Sequence, residues 1–187
     1  DKDTVLEKLN INEQTLKRRA ATYDIKAIEL ESAKKEKGGN KMQISDFLNK
    51  SNIILKINST DKTSAIKEIA NSLKTSGAIV NYENFLNDIF EREKLNTTGI
   101  GNYIAIPHAR TDAVNNFTMA FGISTEGIDF NSLDAKPAKF IIVMGTPKSK
   151  GINEYLQILA HLTRLMNKEN FQKMLLAAND ASEIIKL

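Results

Sequence analysis

Five consecutive apolar residues, Phe140 to Met144, constrain the fold of this 187-residue chain more than any other stretch. A run with no polar face suits a central strand rather than one half in water. Upstream of it, Phe117, Met119, Phe121 and Ile123 alternate with Thr118, Ala120, Gly122 and Ser124, the period of a half-buried strand. Ile53, Ile54, Leu55 and Ile57 read as another strand, and Ile104 to Ile106 as a short buried one. Helical spacing lies between these runs. Ala65, Ile66, Ile69, Ala70 and Leu73 share one helix face, with Ser59 or Thr60 available as a cap and Gly77 at the stop. A second helix follows from Asn81, with the stripe Tyr82, Phe85, Leu86, Ile89 and Phe90. Continuing its period puts Glu93 on the apolar stripe and Arg92 at its edge, where charges need a reason. Helices starting near Asn153 and Lys168 close the unit. Strands separated by helices predict an α/β layer fold, one sheet flanked by helices on both faces.

The segment Lys34 to Lys41, KKEKGGNK, has no hydrophobic period and reads as a linker. Before it, Leu16, Ala20, Tyr23, Ala27 and Leu30 fall on one face of a helix, a short seam for oligomerisation or for an upstream domain. The phrase INEQTLKRR lacks the second patterned helix that a helix-turn-helix requires. Residues 1–41 are thus expected to be a helical extension and charged linker, and 42–187 the main domain. Asp1 is no initiating residue and Met42 heads the main domain, as expected of a fragment of a longer polypeptide. Residues 1–41 hold ten Lys/Arg against eight Asp/Glu, and 42–187 sixteen against fifteen. The main domain is nearly neutral, so no concentrated basic face for nucleic acid is expected on it. With 41% hydrophobic and 26% charged residues, no membrane-length apolar run and no signal-like N-terminus, a cytoplasmic location is expected.

The chemistry concentrates in Thr98 to Arg110, TGIGNYIAIPHAR, which carries one of only two histidines on a turn built from Gly99, Gly101 and Pro107. Pro107 fixes the backbone just before His108, so the imidazole is delivered at the end of a rigid element. Imidazole titrates closest to neutral pH and can act as a nucleophile without a strong base. With no cysteine and no second histidine nearby in sequence, a metal site lacks ligands, and a covalent role is the better chemical reading. Arg92 reads either as a surface arginine suited to a helix C-terminus or as a planar fork of donors for an anion, and Arg110 either as a solvated loop charge or as a second such fork. Thr97, Thr98 and Asn102 carry donors that can serve the imidazole or the turn itself. His161 falls on the polar side of its helix with Gln157 and Arg164, and a solvated position is expected.

TGIGNYIAIPHAR, preceded by EREKLN at Glu91 to Asn96, resembles the active-site signature of fructose/mannitol-type enzyme IIA of the bacterial sugar phosphotransferase system. The resemblance runs from Met42 to Leu187 through MQISDFLNKSNIILKI, GIDFNSLDAKPAKFIIVMGTP and NEYLQILAHLTRLM. It implies a mixed sheet and a phosphotransferase role. His108 would accept a phosphoryl group from the phosphocarrier HPr and pass it to a cysteine of enzyme IIB, serving the membrane enzyme IIC indirectly. Arg92 matches the arginine that the family carries to the active site, and Arg110 is the alternative phosphate partner or a docking residue. No cofactor and no metal are implied. One departure stands out: many members read NEH at the start of the last long helix, and Tyr155 occupies the place of that histidine. A phenol can donate to a phosphoryl oxygen but carries no positive charge. The same resemblance covers regulatory modules fused to transcription regulators or transporters, in which the phosphohistidine is a signal. An interaction module whose histidine takes no phosphoryl group is the third reading.

Overall fold

The computed structural model describes residues 47–187. The helix and linker expected over 1–41 lie outside the described residues. One six-stranded sheet forms from β1 (Ile53–Ile54), β2 (Gly99–Gly101), β3 (Ile104–Ala105), β4 (His108–Thr111), β5 (Thr118–Ile128) and β6 (Ala138–Pro147). The order is β1-β5-β6-β3-β2, with β4 also on β6. It is a mixed sheet, because β5 runs antiparallel to β6 while β3 and β4 run parallel to it.

β6 is the central strand expected from its unbroken apolar run. Phe140, Ile142 and Met144 face one apolar cluster and Ile141 and Val143 the other. Helices α1 (Lys62–Asn71) and α2 (Tyr82–Leu95) cover the second face, placing Ile66, Ile69, Phe85 and Ile89 on it. Helices α3 (Ile152–Met166), α4 (Glu169–Ala177) and the short α5 (Ala181–Lys186) cover the first with Tyr155, Ile158, Leu159, Leu175 and Ile184. Among the described residues, no helix is long and apolar enough to cross a membrane.

Four local expectations change. The cap of α1 is Asp61, whose carboxylate accepts from Ser64 N, rather than Ser59 or Thr60; the Ser59 hydroxyl instead donates to Glu68. β1 keeps only two residues of the run Ile53–Ile57. β5 is buried on both faces over Thr118–Ser124, not half-buried. Its second face is small rather than polar: a Cβ on Gly122 would lie 2.8 Å from the Cδ1 atoms of Ile57 and Ile69, so the glycine lets α1 approach the sheet closely. The fourth change concerns His108, which opens a strand instead of lying on a turn.

Candidate functional site

β3 and β4 form one run along β6, interrupted at Pro107, with β2 on the outer side of β3. Ile104 and Ala105 pair with Phe140 and Ile141, and His108 to Thr111 pair with Met144 to Pro147. Proline has no N–H to give the ladder, but its carbonyl accepts from Met144 N at 3.0 Å, so the run stays on the sheet. Strand alternation then turns Ala109 toward α1 and α2 and His108 toward α3.

His108 is 5% exposed. Its Nδ1 lies 2.6 Å from the carbonyl of Ile106. A carbonyl only accepts, so Nδ1 carries the proton and the lone pair is left on Nε2. Nε2 is buried and makes no hydrogen bond. Burial, then the nearby charge of Arg92, lower the imidazole pKa from 6.5 to about 3 against the opposing pull of the Ile106 carbonyl. The ring is therefore neutral at physiological pH, a nucleophile in its reactive form.

Arg92 sits in the last turn of α2. One terminal nitrogen donates to the Asn96 carbonyl at 3.1 Å, while Nε and the other terminal nitrogen are buried with no hydrogen-bond partner. A guanidinium edge left unsatisfied inside a protein is costly unless something anionic comes to it. Tyr155, in the first turn of α3, places its ring centroid 5.8 Å from that of His108, tilted by 56°. It is 6% exposed and belongs to the core cluster with Ile158, Leu159 and Leu162. Geometry thus brings His108, Arg92 and Tyr155 to one place.

The other candidates are engaged elsewhere. Arg110 spends one terminal nitrogen on the carbonyls of Lys148 and Lys150, at 2.7 and 2.6 Å, tying down the turn that leads into α3. Asn102 and Tyr103 have φ of 51° and 66°, and form the two-residue turn between β2 and β3. Asn102 donates from its side chain to Asn167 and receives Gln172 on its carbonyl, which links this hairpin to α3 and α4. Thr97 donates its hydroxyl to the carbonyl of Phe130. Thr98 gives both its N–H and its hydroxyl to the carboxylate of Glu93. His161 is half-buried, and burial followed by the charges of Arg164 and Lys168 lowers its pKa. Sequence reasoning gave Glu93 no role, although an acid on an apolar stripe was the signal.

Known proteins resemble this chain in both sequence and fold. The family model for the phosphoenolpyruvate-dependent sugar phosphotransferase system, EIIA 2, matches residues 46–187. The chain is 36% identical over 146 residues to the fructose-specific EIIABC component of Bacillus subtilis, covering 78% of this chain but only 23% of that protein. It is 38% identical over 123 residues to the fructose-specific EIIA component of Haloferax volcanii, covering 66% of this chain and 79% of that one. Among solved structures, nitrogen regulatory protein IIA-Ntr from Neisseria meningitidis superposes with a TM-score of 0.71 at 27% identity, over 76% of this chain and 97% of the other. Sequence and fold agree: the chain belongs to the EIIA type 2 family of the phosphoenolpyruvate-dependent sugar phosphotransferase system.

Proposed function

We propose that this chain is a phosphoryl carrier that takes a phosphoryl group from phospho-HPr onto His108 Nε2 and passes it to a cysteine of enzyme IIB during sugar uptake, with enzyme IIC served indirectly. The observation carrying this reading is the set of three buried, unpartnered atoms, His108 Nε2 and two nitrogens of Arg92, on side chains close enough for the guanidinium charge to depress the imidazole pKa. The lone pair on Nε2 attacks phosphorus in line, and the N–P bond forms as the bond to the donor breaks. The Nδ1 proton stays in place, and the Ile106 carbonyl offsets the positive charge that develops on the ring. Arg92 balances the phosphoryl oxygens through its free edge, because phosphoryl transfer depends mainly on positioning and charge compensation. Tyr155 lines the same place and serves as the neutral counterpart of the family's second histidine. The thiolate of enzyme IIB then attacks the same phosphorus and restores neutral His108.

Nε2 is screened from solvent, so acceptance requires the cover over the ring to open locally as the donor docks. Thr98 and Asn102 act in this reading by holding the two ends of the β2–β3 hairpin, and Arg110 by shaping the turn before α3. The carrier unit is taken to begin near Met42, with residues 1–41 as an extension. Partnership with enzyme IIB is favoured by the similarity to a protein named as a fused EIIABC component. A second reading, a regulatory module signalling through phospho-His108, is favoured by the likeness to a nitrogen regulatory protein and by Tyr155.

Incubation with labelled phospho-HPr tests the first step. His161→Ala keeps acid-labile label and His108→Ala loses it while remaining folded by circular dichroism. Label persisting on His108→Ala overturns the assignment. Onward transfer to enzyme IIB separates the transport reading from the regulatory one.

A further inference from the structure

We infer that Glu93 is a positioning residue for His108, acting through Thr98 and Ile106 to hold the imidazole with its proton on Nδ1; this rests on reading His108 as the phosphoryl acceptor. The Glu93 side chain is 6% exposed on the otherwise apolar stripe of α2. Its two oxygens accept from Thr98 N at 3.1 Å and from the Thr98 hydroxyl at 2.5 Å. Lys62, in the first turn of α1, places its ammonium 2.7 Å from the same carboxylate. The Thr98 carbonyl accepts from Ile106 N at 3.0 Å, and the Ile106 carbonyl receives His108 Nδ1 at 2.6 Å. An unbroken path of hydrogen bonds therefore leads from the buried carboxylate to the catalytic ring.

The residue type follows from the acceptors needed. Thr98 presents two donors to one side chain, and a carboxylate takes both while keeping lone pairs for an ammonium. Burying that charge is tolerated because it is matched by Lys62 and fully hydrogen-bonded. The consequence is a fixed start to β2, and so a fixed carbonyl at Ile106. If that carbonyl drifts, Nδ1 loses its acceptor and the proton is free to move to Nε2, which removes the nucleophile. Glu93 touches neither the ring nor the phosphoryl group. It stands next to Arg92 in sequence, so one turn of α2 supplies both the cation of the site and the anchor of its loop.

The test uses the full chain with Glu93→Gln, Thr98→Val and Thr98→Ser. Imidazole tautomers are read from long-range proton–nitrogen correlation spectra, a signature that a loss of global stability alone does not move. Wild type and Thr98→Ser are expected to show a single tautomer protonated at Nδ1. Glu93→Gln and Thr98→Val are expected to show a mixture, with phosphoryl transfer from phospho-HPr slowed roughly ten- to a hundredfold and HPr binding unchanged, as for a slightly misplaced reacting group. Where Glu93→Gln does not fold, Thr98→Val decides. A folded Glu93→Gln or Thr98→Val with the wild-type tautomer and transfer rate overturns the inference. A wild-type chain that takes no label from phospho-HPr defeats the carrier reading instead, and the tautomer spectra then judge Glu93 alone.

Discussion

Acid should weaken this fold through His108, whose buried imidazole resists protonation. His108 is buried as neutral imidazole, with its pKa lowered from 6.5 to about 3. Between those values the unfolded chain binds a proton at this position and the folded chain does not, so stability rises with pH across the window. His108's contribution is fully present above about pH 6.5 and is lost progressively as pH falls toward 3. The slope approaches about 1.4 kcal/mol per pH unit, so the loss reaches about 3 kcal/mol at pH 4. Against a typical stability of about 5–15 kcal/mol that is a large share. The perturbation is His108→Asn, which keeps an N–H for the Ile106 carbonyl and removes the titration. Urea unfolding of both proteins between about pH 7.5 and pH 4 gives the difference directly; His161 titrates in both and cancels. The stability of wild type relative to His108→Asn should fall along that slope below pH 6.5. Parallel curves, or an imidazole midpoint near 6.5 in the folded protein, would refute the buried neutral ring on which the site reading depends.

Other consequences are simpler to state. Arg92→Ala should slow phosphoryl transfer by about a hundredfold or more while leaving HPr binding intact, since removing a preorganised donor from a transition state costs that much; single-turnover transfer and a binding isotherm measure the two separately. Arg110→Ala should cost about 1–2 kcal/mol in urea unfolding by releasing the Lys148 and Lys150 carbonyls, yet leave His108 able to take label. Gly145→Ala should destabilise by about 1–3 kcal/mol, because the new Cβ would stand 2.7 Å from Phe85 Cε2 in the core under α2.

The layering was legible because both faces of β6 are apolar and the amphipathic periods of α1 to α4 lie in the sequence on either side of it. What was not legible depends on close approach or on distant partners. β5 reads as half-buried because Ala120 and Gly122 look permissive, and only the side chains of Ile57 and Ile69 reveal that their smallness admits a helix. β4 is hidden by Pro107, which interrupts the run along β6 without leaving the strand. By residue type alone, Arg92 and Arg110 are both phosphate candidates. Partners 38 and 40 residues away occupy a terminal nitrogen of the second and leave its Nε over, whereas two nitrogens of the first are left over beside His108. Glu93 was visible as an anomaly, an acid where the period calls for an apolar residue. Its meaning needed Thr98 and Lys62 beside it. The imidazole nitrogen available for chemistry was beyond sequence altogether, since it is set by a backbone carbonyl two residues back.

The central claim is that His108 accepts phosphate at Nε2 because Nδ1 is held by Ile106. The most direct measurement is a long-range proton–nitrogen correlation spectrum of the chain after incubation with phospho-HPr. A single phosphohistidine at His108 bearing phosphorus on Nε2, with the proton still on Nδ1, is the predicted result. Phosphorus on Nδ1, or on His161, would contradict it.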